Sequence, residues 1–164
     1  MNEGSEPVPL VDHAGLEVLS PEICLGLVAS AVIGRVGFVD SGDPVILPVR
    51  IGVWGKHLVF TTARGSKLDA AIMERPVAVE VDDWDAATET GWSVLVKGVA
   101  QVVDDGREID SLDRLSVHAW TRPDIPKAWV RVVPEEITGR RILPPPTLGG
   151  TQLSSPHWAR HPRQ

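Results

Sequence analysis

The chain is poor in residues that carry several common chemistries. Its 164 residues include one cysteine, Cys24, and no tyrosine. A single thiol excludes an intrachain disulfide framework and fits a reducing cytoplasm. The missing tyrosines remove one common proton donor. The five histidines show no metal-ligand spacing, so no metal site is expected. The longest uncharged apolar run, Ile23 to Gly34, is well short of the roughly 20 residues that cross a bilayer. Met1 to Leu10 carry Glu3 and Glu6 without Lys or Arg, so no secretory signal is expected. A basic excess is also absent: 16 Lys and Arg face 22 Asp and Glu, a net charge of −6. A general nucleic-acid binder needs a basic footprint. The expectation is a soluble, cytoplasmic protein that binds neither nucleic acid nor membrane.

What is present suffices for a core. Hydrophobic residues make up 43% of the chain, and a chain of this size buries roughly 70% of its unfolded surface. Three segments are expected. Residues 1–18 form an N-terminal arm, rich in Pro, Glu and Asp at its start. Residues 19–143 form the domain. Residues 144–164, opening on Pro144-Pro145-Pro146, form a flexible Pro/Gly/Ser-rich tail.

Within the body, Ser20-Pro21-Glu22 signals a helix start. The helix should run to about Ala29, with Ile23, Cys24, Leu27 and Val28 inward. Strands follow over Val32–Val39, Val45–Val53 and Leu58–Thr62, with turns at Ser41-Gly42-Asp43-Pro44 and Gly55-Lys56. A helix over Ser66–Arg75 stops before Pro76. Val77–Val81 is a strand ending in an acidic loop, Asp82-Asp83-Trp84-Asp85. That cluster lacks the rest of a calcium loop and reads as a solvated turn. Trp92–Val103 is a long strand in which Gly98 suggests a bulge. A helix over Arg107–His118 and strands over Ala128–Val133 and Ile137–Leu143 complete the body. Six or seven antiparallel strands with a few short helices point to a closed β-barrel.

Three places could carry chemistry. Thr61-Thr62-Ala63-Arg64-Gly65-Ser66-Lys67 joins a strand end to a helix start. There, unpaired N–H groups, hydroxyls and two cations could cradle a phosphate. The same residues are also explained by a capping box of Ser66 with Asp69. Trp92, beside Gly91, could wall an aromatic ligand or simply cover a barrel end. Trp129 and Arg131 share a strand face and could hold an anionic ring, or could be a cation over an indole. Cys24 reads as a buried small hydrophobe, and His118 as a residue of a helix exterior.

The motifs in order are Gly34-Arg35-Val36-Gly37-Phe38, Pro44 to Pro48-Val49, and Val59 to Leu68. Then come Glu80-Val81-Asp82, Thr90 to Val94, Gly98-Val99-Ala100, Trp129-Val130-Arg131 and Ile137 to Arg140. Taken together, the chain resembles the FMN-binding split-barrel proteins related to pyridoxamine 5′-phosphate oxidase. The similarity covers about Leu19 to Leu143. It implies a split barrel and a homodimer with flavin at the subunit interface. The strand matching Pro48, Val49, Arg50 and Ile51 would lie along the ring. The segment matching Thr61, Thr62, Arg64, Ser66 and Lys67 would hold the ribityl chain and phosphate. Trp92, Trp129 and Arg131 would help close the site. With the resemblance in hand, the ligand reading of Thr61–Lys67 is favoured over capping.

The chain departs from the family at telling places. Relatives often carry Phe-Arg-Thr where this chain has Phe60-Thr61-Thr62, so one phosphate-binding cation is replaced and Arg64 follows three residues later. A typical Pro-Val-Asn-Tyr is Pro48-Val49-Arg50-Ile51 here. The vitamin oxidase's own C-terminal substrate signature is missing. The expected function is therefore hydride transfer through flavin N5 to or from another small substrate, with FMN as cofactor. A deazaflavin coenzyme, a haem, or a non-catalytic dimeric barrel that has lost FMN are the alternatives.

Overall fold

The computed structural model describes residues 9–65, 72–115, 117, 122 and 124–144. The described strands are β1 (Glu17–Leu19), β2 (Ile33–Asp40), β3 (Asp43–Trp54), β4 (His57–Ala63), β5 (Pro76–Asp85), β6 (Thr90–Val102) and β7 (Lys127–Ile142). Two described helices, α1 (Pro21–Ser30) and α2 (Gly106–Leu112), accompany them. All the pairings are antiparallel, in the order β1-β7-β4-β3-β2-β5-β6, and β6 pairs again with β7. Six strands therefore close into a barrel and β1 adds to β7. The expected mainly-β split barrel is borne out.

The strands owe their shape to Val-rich alternation, which suits a pleated surface. Val36, Phe38, Val49, Ile51, Leu58, Phe60, Val79, Val81, Val94 and Val96 are buried in one core. Helix α1 contributes Cys24 and Val28 to that core. Ser20 caps the helix by accepting from the Ile23 N–H. Burial pushes the Cys24 thiol up from its ordinary value. A second cluster, Val59, Val103, Leu112 and Trp129, lies between β4 and α2. Strand β4 is thus buried on both faces.

Several sequence expectations need correction. Ile23 is not inward but 43% exposed. The acidic segment is not a loop: β5 runs on through Asp85, paired with β6 from Asp82↔Ser93 to Asp85↔Thr90. Charged side chains on an exposed strand end are stable there because they remain in water. The helix expected over Arg107–His118 ends at Leu112, and His118 lies outside the described residues. The helix expected from Ser66 falls mostly outside them as well. The two closing strands are a single strand, β7, because Pro134 and Glu135 are absorbed in a bulge rather than a turn. The pairing steps from Lys97↔Glu136 to Gly98↔Pro134, so Glu135 has no partner opposite. Proline suits that position, since it has no N–H to lose.

Gly98 makes the bulge possible. A Cβ there would stand 2.9 Å from the Val133 carbonyl carbon and 3.1 Å from the Pro134 Cα. These are backbone atoms, which cannot swing away. Gly98→Ala should lower stability by about 1–3 kcal/mol, the cost of overpacking, as read by urea denaturation. A variant as stable as the parent would show that the bulge relaxes freely.

Candidate functional site

The barrel opens between β3 and β4. Their pairing runs from Trp54↔His57 only to Ile51↔Phe60. Beyond it the strands part. Residues 48–50 of β3 stay with β2, where Arg35↔Pro48 and Ile33↔Arg50 face each other. Residues 61–63 of β4 stay with β7, where Thr61↔Trp129 and Ala63↔Lys127 do so. The result is a fork, and its two prongs carry Pro48, Val49 and Arg50 on one side and Thr61, Thr62 and Arg64 on the other.

Alternation sorts these side chains. Val49 and Thr62 fall on the buried side of their strands, with 5% exposure each. Pro48, Arg50 and Thr61 fall on the opposite side. Pro48 is exposed and Arg50 half-buried. Thr61 is only 8% exposed, and its Oγ1 has no hydrogen-bond partner among the described residues. A buried hydroxyl left unpaired costs about 1–3 kcal/mol. Beyond Ala63 the chain turns through Gly65 at φ +71°, a value that favours glycine. The Arg64 N–H donates to the Pro126 carbonyl at 2.9 Å, which leaves the Arg64 side chain exposed at the tip. Neither Arg50 nor Arg64 has a carboxylate partner among the described residues. Ser66 and Lys67 lie outside them.

The two tryptophans are placed differently. Trp129 is a core residue, 2% exposed, and its Nε1 donates to Asp113 Oδ1 at 2.7 Å. The cation over its ring is Lys127, 5.2 Å from the centroid, rather than Arg131. Lys127 also pairs with Asp113 at 2.8 Å. Arg131 is taken by Glu108 of α2 at 2.9 Å and by Gln101 at 3.0 Å, although its buried Nε has no partner among the described residues. These contacts clamp α2 and the following turn over the back of β4. Trp92 pairs with Arg141 near the other end of β7. One copy of the chain therefore does not bring Trp92 to the fork.

Sequence reasoning missed Asp113, Lys127, Glu108 and Gln101. Asp113 follows a helix end and Lys127 opens a strand, and no local pattern couples two such charges across an intervening loop. The i, i+2 spacing of Lys127 and Trp129 was the one usable signal.

Chemically, the fork offers two uncompensated cations, an orphan hydroxyl and a tight glycine turn. That donor set suits a phosphate-bearing ligand.

The chain is similar to known proteins. A family model described as pyridoxamine 5′-phosphate oxidase matches residues 20–141. An uncharacterized protein of Mycobacterium tuberculosis is 33% identical over 130 residues, 76% of this chain and 84% of its own length. A second from the same organism is 41% identical over 90 residues, 55% of this chain and 79% of its own. Among solved structures, an FAD binding protein from Mycobacterium smegmatis is similar at TM-score 0.66 and 36% identity, covering 76% of this chain and 96% of that one.

The clamp behind the fork has a pH signature. Hydrogen bonding to Lys127 first, then to Trp129, holds the Asp113 carboxyl below its ordinary range. A lowered folded value means stabilisation that is complete above the unfolded value of about 3.9 and fades as pH falls towards the folded value. Asp113→Ala should cost about 1 kcal/mol at neutral pH, the worth of one hydrogen bond. Asp113→Asn should keep much of the Trp129 bond but lose the acid-dependent part. Urea midpoints at pH 7 and pH 3 check both, and parallel pH profiles for wild type and Asp113→Asn would refute the assignment.

Proposed function

The chain belongs to the pyridoxamine 5′-phosphate oxidase family, and from that premise we propose that it is a flavin-binding oxidoreductase, with FMN held at the β3–β4 fork. The observation that carries the reading is the buried Thr61 hydroxyl in a fork flanked by Arg50 and Arg64, none of the three with a side-chain partner among the described residues. In a protein of net charge −6, such cations are a local asymmetry that favours an anionic ligand. The similar M. smegmatis structure is of a protein described as FAD binding, which supports a flavin in general.

The bound flavin would supply hydride exchange at its N5. The chain's part is binding and orientation. Thr61 would donate its hydroxyl proton to a ligand oxygen, and Arg64 would meet the phosphate at the exposed tip with Ser66 and Lys67. Arg50 stands on the ring-facing prong as a fixed positive charge. A cation there favours electron density on a nearby ring. Pro48, on the same strand face as Arg50, gives that prong an apolar surface, while Val49 anchors it in the core.

The reading includes a homodimer. The outer surface of β2 and β3 exposes Ile33, Val39 and Ile46, the last at 69%. Val39 and Ile46 border a groove of about 520 Å³ that includes Gly37, Pro44 and Ala78. An apolar patch of this kind suits a protein partner, and a second copy would bring another set of site residues towards each fork. Ile46→Asp should shift the protein to monomer in sedimentation. An unchanged sedimentation coefficient would move the interface elsewhere.

The cofactor test is a visible absorption spectrum of the purified protein, repeated after FMN or FAD is added and the sample desalted. A retained flavin band supports the proposal. Arg64→Ala should then weaken retention about tenfold, the worth of one charge-assisted hydrogen bond. A colourless protein that releases all added flavin overturns it.

A further inference from the structure

At the far end of β7 a second concave surface is built from three strand ends, well away from the fork. The register sets two cross-strand rows side by side on one face. Asp82↔Ser93 and Ser93↔Arg140 form a polar row. Trp84↔Gly91 and Gly91↔Ile142 form an apolar one. The Trp84 ring lies over Gly91, its Cε3 only 2.8 Å from where a Cβ would stand. The indole is nevertheless 50% exposed. All six residues line one cleft of about 210 Å³. A second concavity of about 270 Å³ shares Ser93 and Arg140 with it and continues past Leu95 and Thr138.

The polar row is held in place and nearly neutral. Arg140 Nε donates to Asp12 Oδ2 at 2.7 Å, and its Nη1 to the Gly139 carbonyl at 2.9 Å. Its Nη2 has no protein acceptor among the described residues. Asp82 is paired with Arg35. The row thus presents an acceptor, a hydroxyl and a donor, with both charges compensated. A free phosphate gains little here, beside Asp82 and Asp83. A flat, uncharged heterocycle that both donates and accepts along one edge gains on every count. It can stack on the indole, give an amino proton to Asp82 and accept at a ring nitrogen from Ser93 or Arg140.

We propose that the Trp84–Arg140 cleft binds an adenine nucleoside, with the base on Trp84 and the sugar towards Thr138. The adenine can come from a free nucleoside or from the adenosine half of a dinucleotide. This does not rest on flavin binding at the fork.

Calorimetric titration of the full-length protein with adenosine tests it. Saturable binding is expected. Trp84→Ala should weaken it about tenfold, as loss of one base–aromatic stack does, while Trp84→Phe keeps most of it. Ser93→Ala, at an exposed position, should weaken it less without loss of folding. Competition by FAD but not FMN assigns the adenine to a dinucleotide. Competition by neither assigns it to a free nucleoside. No saturable heat with adenosine, binding indifferent to Trp84→Ala in a folded variant, or displacement by FMN as effective as by FAD would each overturn the proposal.

Discussion

The fold depends on one strand being hydrogen-bonded along both edges. β7 pairs with β6 over nearly its whole length, with β4 along its first half and with β1 near its end. Without the β6–β7 ladder the sheet would be open, with two exposed edges available to other chains. With it, six strands enclose a core of valines, leucine and phenylalanine. A strand of this length can serve three neighbours only by bending. The unpaired Glu135 supplies the bend, and Gly98 supplies the space for it. The closure and the bulge are therefore a single device.

The fork is the complement of that closure. Twist accumulates around a barrel, and the β3–β4 pair gives way after Ile51↔Phe60. A split in a sheet leaves polar groups to be satisfied. Here the back of β4 is sealed by α2, through Glu108 on Arg131 and Asp113 on Trp129. Thr61, two residues on from Val59 and opposite Trp129, lies on this same α2-covered side, where its hydroxyl has no partner among the described residues. A rigid support beside an unsatisfied donor is an arrangement that a preorganised binding site requires.

Much of this was legible in the sequence. Strand positions, the bulge at Gly98, the Ser20 cap and the turns at Gly42 and Gly55 all follow from local chemistry, and local chemistry is what a single sequence records. The grouping of Pro48–Arg50 with Thr61–Arg64 came through resemblance; the register then showed the two segments to be opposite prongs. What was hidden depends on distant residues. Pro134-Glu135 looks like a strand break until Gly98 on β6 is seen to accommodate it. Asp82–Asp85 looks like a loop because its composition is polar, yet β6 offers it a ladder. Trp84 went unweighed for the same reason, since its role as a platform exists only once Gly91 lies beneath it.

The charges make a last point about how an acidic chain can host separate sites. At the Trp84 end, every arginine is answered: Arg35 by Glu80 and Asp82, Arg140 by Asp12, Arg141 by Glu17. Hydrogen bonding to Arg140 above all holds the Asp12 carboxyl below its usual range, so the pair stays ionised and fixes the guanidinium. Such a surface selects by hydrogen-bond pattern and shape. At the fork, Arg50 and Arg64 have no such answer, and selection there is by charge. Two ends of one strand thus differ in the kind of ligand they favour, because one end has its counter-charges built in and the other leaves them to be supplied.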